Sequence, residues 1–518
     1  MVVIVGSTPE NRVKALAVAD DCIRLRGCDA CGRERCAGKK HHTRPSRKTQ
    51  RTETREEPMP EPVLGNTFAT VPEATSPIET RYRRIHTPLP APETLDSLRK
   101  ASQLFPRVNC YQPPIVWESA DGSTIRDAAG NRWIDFTSTA VLTNTGHGHP
   151  AIREAVARHA SEGGLMAQFS FASEIRIALA ERLVKLAPAH CEKVYFWTVG
   201  SETIECALRL AREHGMRRNP GKCHVLTHQA DYHGWTFGAH QLSGEQARKG
   251  WLAEPDRAIH HLPFPGGDEP DWEAFLLRNL AALEQEGIDG DQICAVFIET
   301  LQGWGAVPLP TAYVKALRRW ADAHDVLLIF DEVQTGFART GRLFAHEHYG
   351  VKADLICIGK GLTSTLPLAA VLGAGEILDL VGPAEITTTH AAHPLCCAAA
   401  LANLDVIESE QLIAQAERKG RIVEAELKAL AGRHTDYVAN VEGLGLLRAI
   451  HVKNPQTGEL CGETGRDWTW ASVKQGVMLF QVNRPSIKIC PPLVIEDDAL
   501  VEGIRALGEA LEAMSPTT

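Results

Sequence analysis

The sequence predicts an α/β protein in which helices cover both faces of a mostly parallel sheet, with a smaller α+β domain attached. Between residues 131 and 375, short apolar runs such as KVYFWTV and VLLIFDE alternate with amphipathic stretches such as ETIECALRLAREHG. Short apolar runs separated by amphipathic helices are typical of parallel strands that are buried on both faces. From residue 376 the pattern changes to two long helices, one strand-like run and a closing helix, which predicts the smaller domain.

The predicted elements divide the chain into four segments. Residues 1–75 are expected to be an N-terminal extension and flexible linker, since the stretch from about residue 39 is polar and rich in charge and proline. Residues 76–130 contain a run that alternates polar and apolar residues around turns, which predicts an antiparallel meander belonging to the smaller domain. Residues 131–375 are expected to form the large domain and residues 376–518 to complete the smaller one. A chain of 518 residues is too long for one core, which agrees with this division.

Composition and charge exclude several classes of protein. The chain is 44% hydrophobic and 23% charged, which is ordinary for a globular protein and excludes a fibrous or wholly disordered one. No run of 18 apolar residues is present, and the first residues do not resemble a secretory signal. The net charge of −9 gives no general attraction to nucleic acid. We therefore expect a cytoplasmic enzyme that has no membrane partner.

Fourteen cysteines are present, and four of them are clustered near the N-terminus. The other ten lie between residues 110 and 490 without a regular spacing, which indicates reduced thiols. The cluster leaves two interpretations open, because closely spaced thiolates can hold zinc but no second CxxC pair completes the usual pattern. The favoured interpretation is a disordered basic leader without metal. The alternative is a zinc site formed by Cys22, Cys28, Cys31 and Cys36.

Residues suited to catalysis follow four of the predicted strands. They are Asp331 after VLLIF, Lys360 after ADLICIG, Gly200 and Ser201 after KVYFWTV, and Tyr232 and His233 after CHVLTHQ. The carboxyl ends of parallel strands meet at one edge of a sheet, where ligands of such sheets bind. A helix N-terminus binds phosphate, a lysine in apolar surroundings is a Schiff-base nucleophile, and a carboxylate keeps a pyridinium nitrogen protonated. Together these residue types point to pyridoxal 5'-phosphate as the cofactor.

Four longer stretches resemble a known family. They are DFTSTAVLTNTGHGHPAI (135–152), TVGSETIECALRLAR (198–212), the region from FIETLQGWGAVPLP through LLIFDEVQTGFARTGRLFAHEHYGVKADLICIGKG (297–361), and TTTHAAHPLCCAAALA (387–402). In these stretches the chain resembles the class III pyridoxal-phosphate-dependent aminotransferases, the ω-aminotransferase group with fold type I. This resemblance implies seven strands in the mostly parallel sheet of the large domain. The resemblance extends from about residue 80 to the C-terminus. DEVQTGFARTG followed at this distance by GKG is its most specific part.

The resemblance implies a role for each matched residue. Lys360 is implied as the Schiff-base lysine and Asp331 as the partner of the pyridine nitrogen, and these two are the implied catalytic residues. The other implied cofactor contacts are Gly200 and Ser201 at the phosphate, Tyr232 with His233 beside it on one ring face, Val333 on the other face, Gln334 near the phenolic oxygen, Glu299 beside the site, and Thr389 at the phosphate of the neighbouring subunit's cofactor. The last contact implies a homodimer whose active sites lie at the interface.

The function implied by the resemblance is transfer of an amino group from a small primary amine or amino acid to a keto-acid or aldehyde acceptor. Three positions are candidate substrate contacts, namely Ala140, Trp304 and Lys488. Many relatives have a glutamate where Trp304 stands and a carboxylate-binding arginine where Lys488 stands. The resemblance therefore does not imply 4-aminobutyrate or ornithine as the substrate. A racemase, epimerase or lyase on the same scaffold stays open as the alternative outcome.

A hypothesis of another class is a regulator whose N-terminal leader binds nucleic acid, which the basic run between Lys39 and Arg55 suggests. The roughly 38 residues before the linker are too few for a helix-turn-helix with a core of its own. An enzyme is therefore favoured, and nucleic acid is not expected as a partner. Residues 1–75 are predicted to be dispensable for folding and for cofactor binding, since the resemblance does not depend on them.

Overall fold

A computed structural model of the chain describes residues 68–109, 111–482 and 484–514. The chain divides into two units, residues 1–61 and Pro62–Thr518, and the described residues all belong to the second. The clustered cysteines and the basic run of the leader lie outside the described residues. Among the described residues, no helix is long and apolar enough to cross a bilayer.

The large sheet has seven strands. Their spatial order is Lys193–Trp197, Ala369–Gly373, Leu355–Ile358, Leu327–Asp331, Ile293–Glu299, His224–His228 and Ile259–Leu262. Only Ala369–Gly373 runs antiparallel to its neighbours. The prediction of a mostly parallel seven-stranded sheet is therefore confirmed. The edge strand Ile259–Leu262 has no continuous apolar run, because two histidines stand at its centre.

The large sheet is buried on both faces because successive side chains of each strand point in opposite directions. In the strand Leu327–Asp331, Leu328 and Phe330 belong to the hydrophobic cluster on one side. Leu327 and Ile329 belong to the cluster on the other side. This two-sided burial explains why the strands are apolar without a break instead of alternating with polar residues.

Helices lie between the strands and continue to the C-terminus. Those of eight or more residues are Leu95–Leu104, Pro150–Ser161, Glu174–Leu186, Gly200–Arg218, Trp272–Gln285, Thr311–Ala323, Pro394–Ser409, Leu412–Arg433, Gly462–Lys474 and Asp497–Met514. The shorter ones are Ser138–Val141, Phe237–Leu242 and Gly375–Leu378. The amphipathic stretch ETIECALRLAREHG, residues 202–215, lies within the helix Gly200–Arg218, as predicted.

Among the described residues, two smaller sheets accompany the large one. The first contains Ile78–Glu79, Arg84–Ile85, Arg132–Asp135, Thr124–Asp127 and Trp117–Asp121 in that order, with Val477–Met478 beside Arg132–Asp135. The second contains Val438–Leu444, Leu447–Val452 and Ser486–Ile489. The predicted antiparallel meander is thus the part of the first sheet between residues 117 and 135. The strand that pairs with Val477–Met478 is Arg132–Asp135, which follows the predicted boundary at residue 130, so the pairing joins the end of the meander to the C-terminal segment.

Packing against this body begins before residue 76. The ring centroids of Phe68 and Trp470 are 6.0 Å apart. The Glu73 carboxylate accepts a hydrogen bond from Trp470 Nε1 at 2.9 Å and pairs with Lys474 Nζ at 2.7 Å. The short described segment before residue 76 is therefore held by side chains of the helix Gly462–Lys474.

Nine cysteines lie among the described residues, and all nine are free. This agrees with the predicted reduced thiols for that part of the chain. No group of three or more His, Cys, Asp or Glu side chains that could hold a metal ion occurs in residues 68–109, 111–482 and 484–514.

Candidate functional site

The carboxyl edge of the large sheet brings together three of the predicted site residues. Asp331 and Glu299 end adjacent parallel strands and face each other in register. Lys360 comes two residues after the end of Leu355–Ile358, the strand on the other side of Asp331. The chain order of these residues is 299, 331 and 360, and it is the strand pairing that makes them neighbours.

Lys360 is the first residue of a short turn, Lys360–Leu362, and its backbone φ is 33°. A positive φ in a residue other than glycine costs about 1 to 3 kcal/mol and is most often found at functional sites. Burial lowers the pKa of the Lys360 ammonium, while the carboxylates of Asp331 and Glu299 raise it in part. The net lowering favours the neutral amine, which is the form that attacks a carbonyl carbon.

The Asp331 carboxylate is fixed by two hydrogen bonds. Its Oδ2 lies 2.9 Å from Nδ1 of His233, and its Oδ1 accepts from the backbone N–H of Val333 at 3.0 Å. His233 is itself buried, and its Nε2 lies 3.3 Å from the Thr227 hydroxyl. A carboxylate held in this way keeps its position and its orientation while it interacts with a ligand in front of it.

Glu299, beside Asp331, is expected to differ from it in protonation state. Its Oε2 accepts a hydrogen bond from the backbone N–H of Tyr232 at 2.8 Å. Burial raises the pKa of Glu299 well above its ordinary value, and the nearby carboxylates of Asp231 and Asp331 raise it further. Because three carboxyl groups share this buried region, we expect Glu299 to be the one that carries a proton.

The N-terminus of the helix Gly200–Arg218 opens toward Lys360 and Asp331. The first N–H groups of a helix have no acceptor within it, so they are free to bind an anion. A Cβ atom on Gly200 would lie 2.6 Å from Cγ1 of Val333, and one on Gly234 would lie 2.1 Å from Oγ of Ser201. Gly234 also has a φ of +132°. Glycine at position 200 therefore lets Val333 approach the helix N-terminus, and glycine at position 234 lets Ser201 approach the backbone.

These groups line one cavity of about 360 Å³. Nine predicted cofactor contacts are in its wall, namely Gly200, Ser201, Tyr232, His233, Glu299, Asp331, Val333, Gln334 and Lys360. The remaining lining residues were not predicted from the sequence. They are Leu142, Thr198, Val199, Gly234, Leu301, Thr335 and residues 365–368. Most of these residues have apolar or threonine side chains that belong to no catalytic motif in the sequence. Gly234 is the exception, since it directly follows the predicted pair Tyr232 and His233.

The other four candidate residues lie outside this cavity wall. Thr389 is exposed. Ala140 is also exposed, in a turn Ser138–Val141 whose φ angles of 43° to 66° are all left-handed. Trp304 packs against Tyr232, with ring centroids 5.2 Å apart, and lines a neighbouring cavity instead. Lys488 is buried behind Gln334.

The comparison with known families decides the assignment. A family model described as class III aminotransferase matches residues 107–511. The chain belongs to the class III aminotransferase family. The match includes every candidate residue from Ala140 to Lys488, and it confirms the resemblance that the motifs indicate.

Individual relatives of this aminotransferase agree with the family assignment. It is 34% identical over 418 residues to an acetylornithine aminotransferase of Corynebacterium efficiens, which covers 79% of this chain and 95% of that protein. It is also 30% identical over 429 residues to a leucine/methionine racemase of Thermococcus litoralis. That alignment covers 80% of this chain and 94% of the racemase. Among solved structures, an amine transaminase of an uncultivated Pseudomonas species in its PLP-bound form matches with a TM-score of 0.71 and 28% identity, over 77% of this chain and 95% of that one. The fold is thus that of the fold type I transaminases.

Proposed function

We propose that this class III aminotransferase binds pyridoxal 5'-phosphate in the cavity at the carboxyl edge of the large sheet, with Lys360 Nζ as its covalent anchor. The observation that carries the proposal is that Lys360 and the Asp331 carboxylate line one cavity with the N-terminus of the helix Gly200–Arg218. The donor set fits the cofactor, since it offers an amine for the aldehyde, a carboxylate for the ring nitrogen and helix N–H groups for the phosphate.

The bound cofactor supplies an electron-deficient ring that stabilises negative charge at the substrate carbon. Asp331 keeps the ring nitrogen protonated, and His233 holds the Asp331 carboxylate in place for this task. Val333 and Tyr232, which line the cavity, would hold the ring and exclude water from the reacting atoms. Lys360 Nζ would accept a proton from the substrate carbon as a general base and donate a proton as a general acid. Its lowered pKa suits both roles.

The anchor is tested by exchanging Lys360 for alanine. The purified wild type should be yellow, and borohydride should bleach its absorbance and leave a stable adduct. Lys360→Ala should lose the reducible adduct while it keeps its fold. Lys419→Ala is the matched control, because Lys419 is another buried lysine with a lowered pKa that lies outside the cavity. A reducible adduct that persists in Lys360→Ala would refute the assignment.

The amino group is transferred from a primary amine or amino acid to a keto acid or aldehyde. The identity of the donor is open to a screen of amines and amino acids with pyruvate and 2-oxoglutarate as acceptors. Turnover that stops when the acceptor is omitted supports transamination. With the amino donor alone, the first half-reaction should convert the cofactor-loaded protein to its pyridoxamine form.

A racemase is the second candidate, because a leucine/methionine racemase is among the relatives that span most of the chain. Racemisation returns the proton to the same carbon and needs no acceptor. The two outcomes are separated by following the stereochemistry of leucine and methionine without any keto acid. Inversion under these conditions, without a pyridoxamine form, would favour the racemase and exclude obligatory transamination.

We further propose a homodimer in which Thr389 of one subunit contacts the cofactor phosphate of the other. The support is that Thr389 is exposed and lies outside its own chain's cavity. The test mixes two inactive proteins, Lys360→Ala and Thr389→Asp, after mild unfolding and refolding. A hybrid dimer regains one intact site, so activity should return to as much as about a quarter of the wild-type value. No recovery from a mixture that does form hybrids would contradict the shared site.

A further inference from the structure

Lys488 is held by the protein itself. It belongs to the strand Ser486–Ile489 and its side chain is 3% exposed. Its Nζ donates to the carbonyl oxygen of Gly303 at 2.7 Å and to Oε1 of Gln334. Two of its three N–H groups are therefore used by protein acceptors. Lys488 is also absent from the wall of the cavity, whereas Gln334 lines it.

The contact fixes which way the Gln334 amide faces. An ammonium group has three donors and no acceptor, so the atom that it meets on a carboxamide must be the oxygen. With Oε1 bound to Lys488, Nε2 is the group of Gln334 that is left to donate, and Gln334 lines the cavity. This orientation follows from the chemistry of the two groups, because only the amide oxygen can accept from an ammonium.

We propose that Lys488 is a positioning residue that holds Gln334 with its Nε2 donor toward the cavity, where the amide stabilises the negatively charged oxygen of the bound cofactor. This inference rests on the proposed cofactor site. In pyridoxal phosphate the phenolic oxygen is adjacent to the carbon that Lys360 attacks. Gln334 follows Asp331 by three residues and shares the cavity wall with Lys360, so this oxygen is the acceptor within its reach.

The electrostatic surroundings of Lys488 agree with this role. Burial is the main cause that lowers the pKa of Lys488 to about 8; Cys490 and Glu299 act in the opposite direction, and Lys360 and Arg339 act in the same direction as burial. Loss of Lys488 frees the Gln334 amide from the contact that orients it.

The experiment measures the visible absorbance of the cofactor-loaded protein as a function of pH, together with the dissociation constant for pyridoxal phosphate added to the apoprotein. Both Lys488→Met and Gln334→Leu should raise the pH midpoint of the absorbance change by about one unit, because the protonated nitrogen becomes more favourable. Each should weaken cofactor binding about tenfold, the effect of losing one charge-assisted hydrogen bond. The double variant should shift the midpoint no further than the larger single shift, since the two residues act as one unit.

Lys419→Met is the matched control. Lys419 is also a buried lysine with a pKa of about 8, and its Nζ donates to a glutamine oxygen, that of Gln415, and to a backbone carbonyl, that of Leu493. It lies outside the cavity wall, so its loss should leave midpoint and affinity unchanged.

Three outcomes overturn the inference while the wild type still binds the cofactor. They are an unchanged midpoint in Gln334→Leu, single shifts that add in the double variant, and an equal shift in Lys419→Met. Gln334→Leu keeps the test valid if Lys488→Met does not fold. A wild type without any visible absorbance after loading would refute the cofactor site itself, so the two failures are distinguishable.

Discussion

Gly200→Ala adds one methyl group at the wall of the cavity. From the structure we expect it to lower both the stability of the protein and its affinity for the cofactor. The new Cβ would lie 2.6 Å from Cγ1 and 3.0 Å from Cγ2 of Val333. Favourable contacts between carbon atoms lie at about 3.5 to 4.0 Å, so the two side chains must separate by about 1 Å. The backbone of Val333 is held by its hydrogen bond to Asp331. The valine side chain must therefore shift into the cavity, or the helix N-terminus must move away from it.

The magnitude follows from the measured cost of overpacking, which is about 1 to 3 kcal/mol. We expect the free energy of unfolding of the apoprotein to fall by this amount in urea titrations. The dissociation constant for pyridoxal phosphate should rise about tenfold or more, because the ring and the phosphate would both meet displaced groups. Binding is measured by the quenching of tryptophan fluorescence on titration with the cofactor.

Gly432→Ala is the matched control. Gly432 lies in the helix Leu412–Arg433, and no heavy atom stands within 4 Å of the position of its added Cβ. Alanine there should stabilise the apoprotein by up to about 1 kcal/mol, since glycine is the poorer helix former. If Gly200→Ala matches the wild type in both stability and cofactor affinity, the close approach of Gly200 and Val333 does not shape the site and the reasoning is wrong.

Three further predictions use other parts of the structure. Burial and the nearby Lys249 lower the pKa of His261 to about 4, so the unfolded chain binds the extra proton first as the pH falls. The free energy of unfolding should therefore decrease by about 3 kcal/mol between pH 6.5 and pH 4, and His261→Gln should flatten this part of the urea-derived profile. Asp331→Asn should keep the fold but lower kcat at least about a hundredfold, because the ring nitrogen loses its carboxylate, and stopped-flow assays of the half-reaction check this. Deletion of residues 1–67 should leave the thermal midpoint unchanged, whereas deletion of 1–75 should cost about 2 kcal/mol, because it also removes the hydrogen bond and the ion pair of Glu73.

Much of the candidate site was accessible from sequence because its residues follow strands. Asp331, Lys360 and the pair Gly200 and Ser201 each come directly after an apolar run, and strands of one parallel sheet present their carboxyl ends together. The same logic identified four strands of the sheet, which are Lys193–Trp197, His224–His228, Leu327–Asp331 and Leu355–Ile358. It missed Ile259–Leu262 because the two central histidines interrupt the apolar pattern, although the strand is held by its pairing with His224–His228.

The left-handed turn Ser138–Val141 has no signal in the sequence either. It contains no glycine, and its residues would favour other conformations in an isolated peptide. The turn is stabilised from outside, since Ser138 Oγ donates to the carbonyl oxygen of Cys490 at 2.6 Å and accepts from the buried Arg339. These partners are about 200 to 350 residues away along the chain.

The class of fold, the strand ends that carry chemistry and the family could be predicted from the residues alone, because apolar periodicity and short motifs are local properties of the chain. Three relations are visible only in the folded chain: His233 orients Asp331, Glu299 shares its buried region with two other carboxyl groups, and Lys488 is bound to Gln334. These relations depend on distances of a few ångströms between residues that are far apart in sequence. The strength of a hydrogen bond and the cost of desolvation both change steeply over such distances. Tertiary packing therefore determines which side chains form hydrogen bonds with each other and which protonation state each one has.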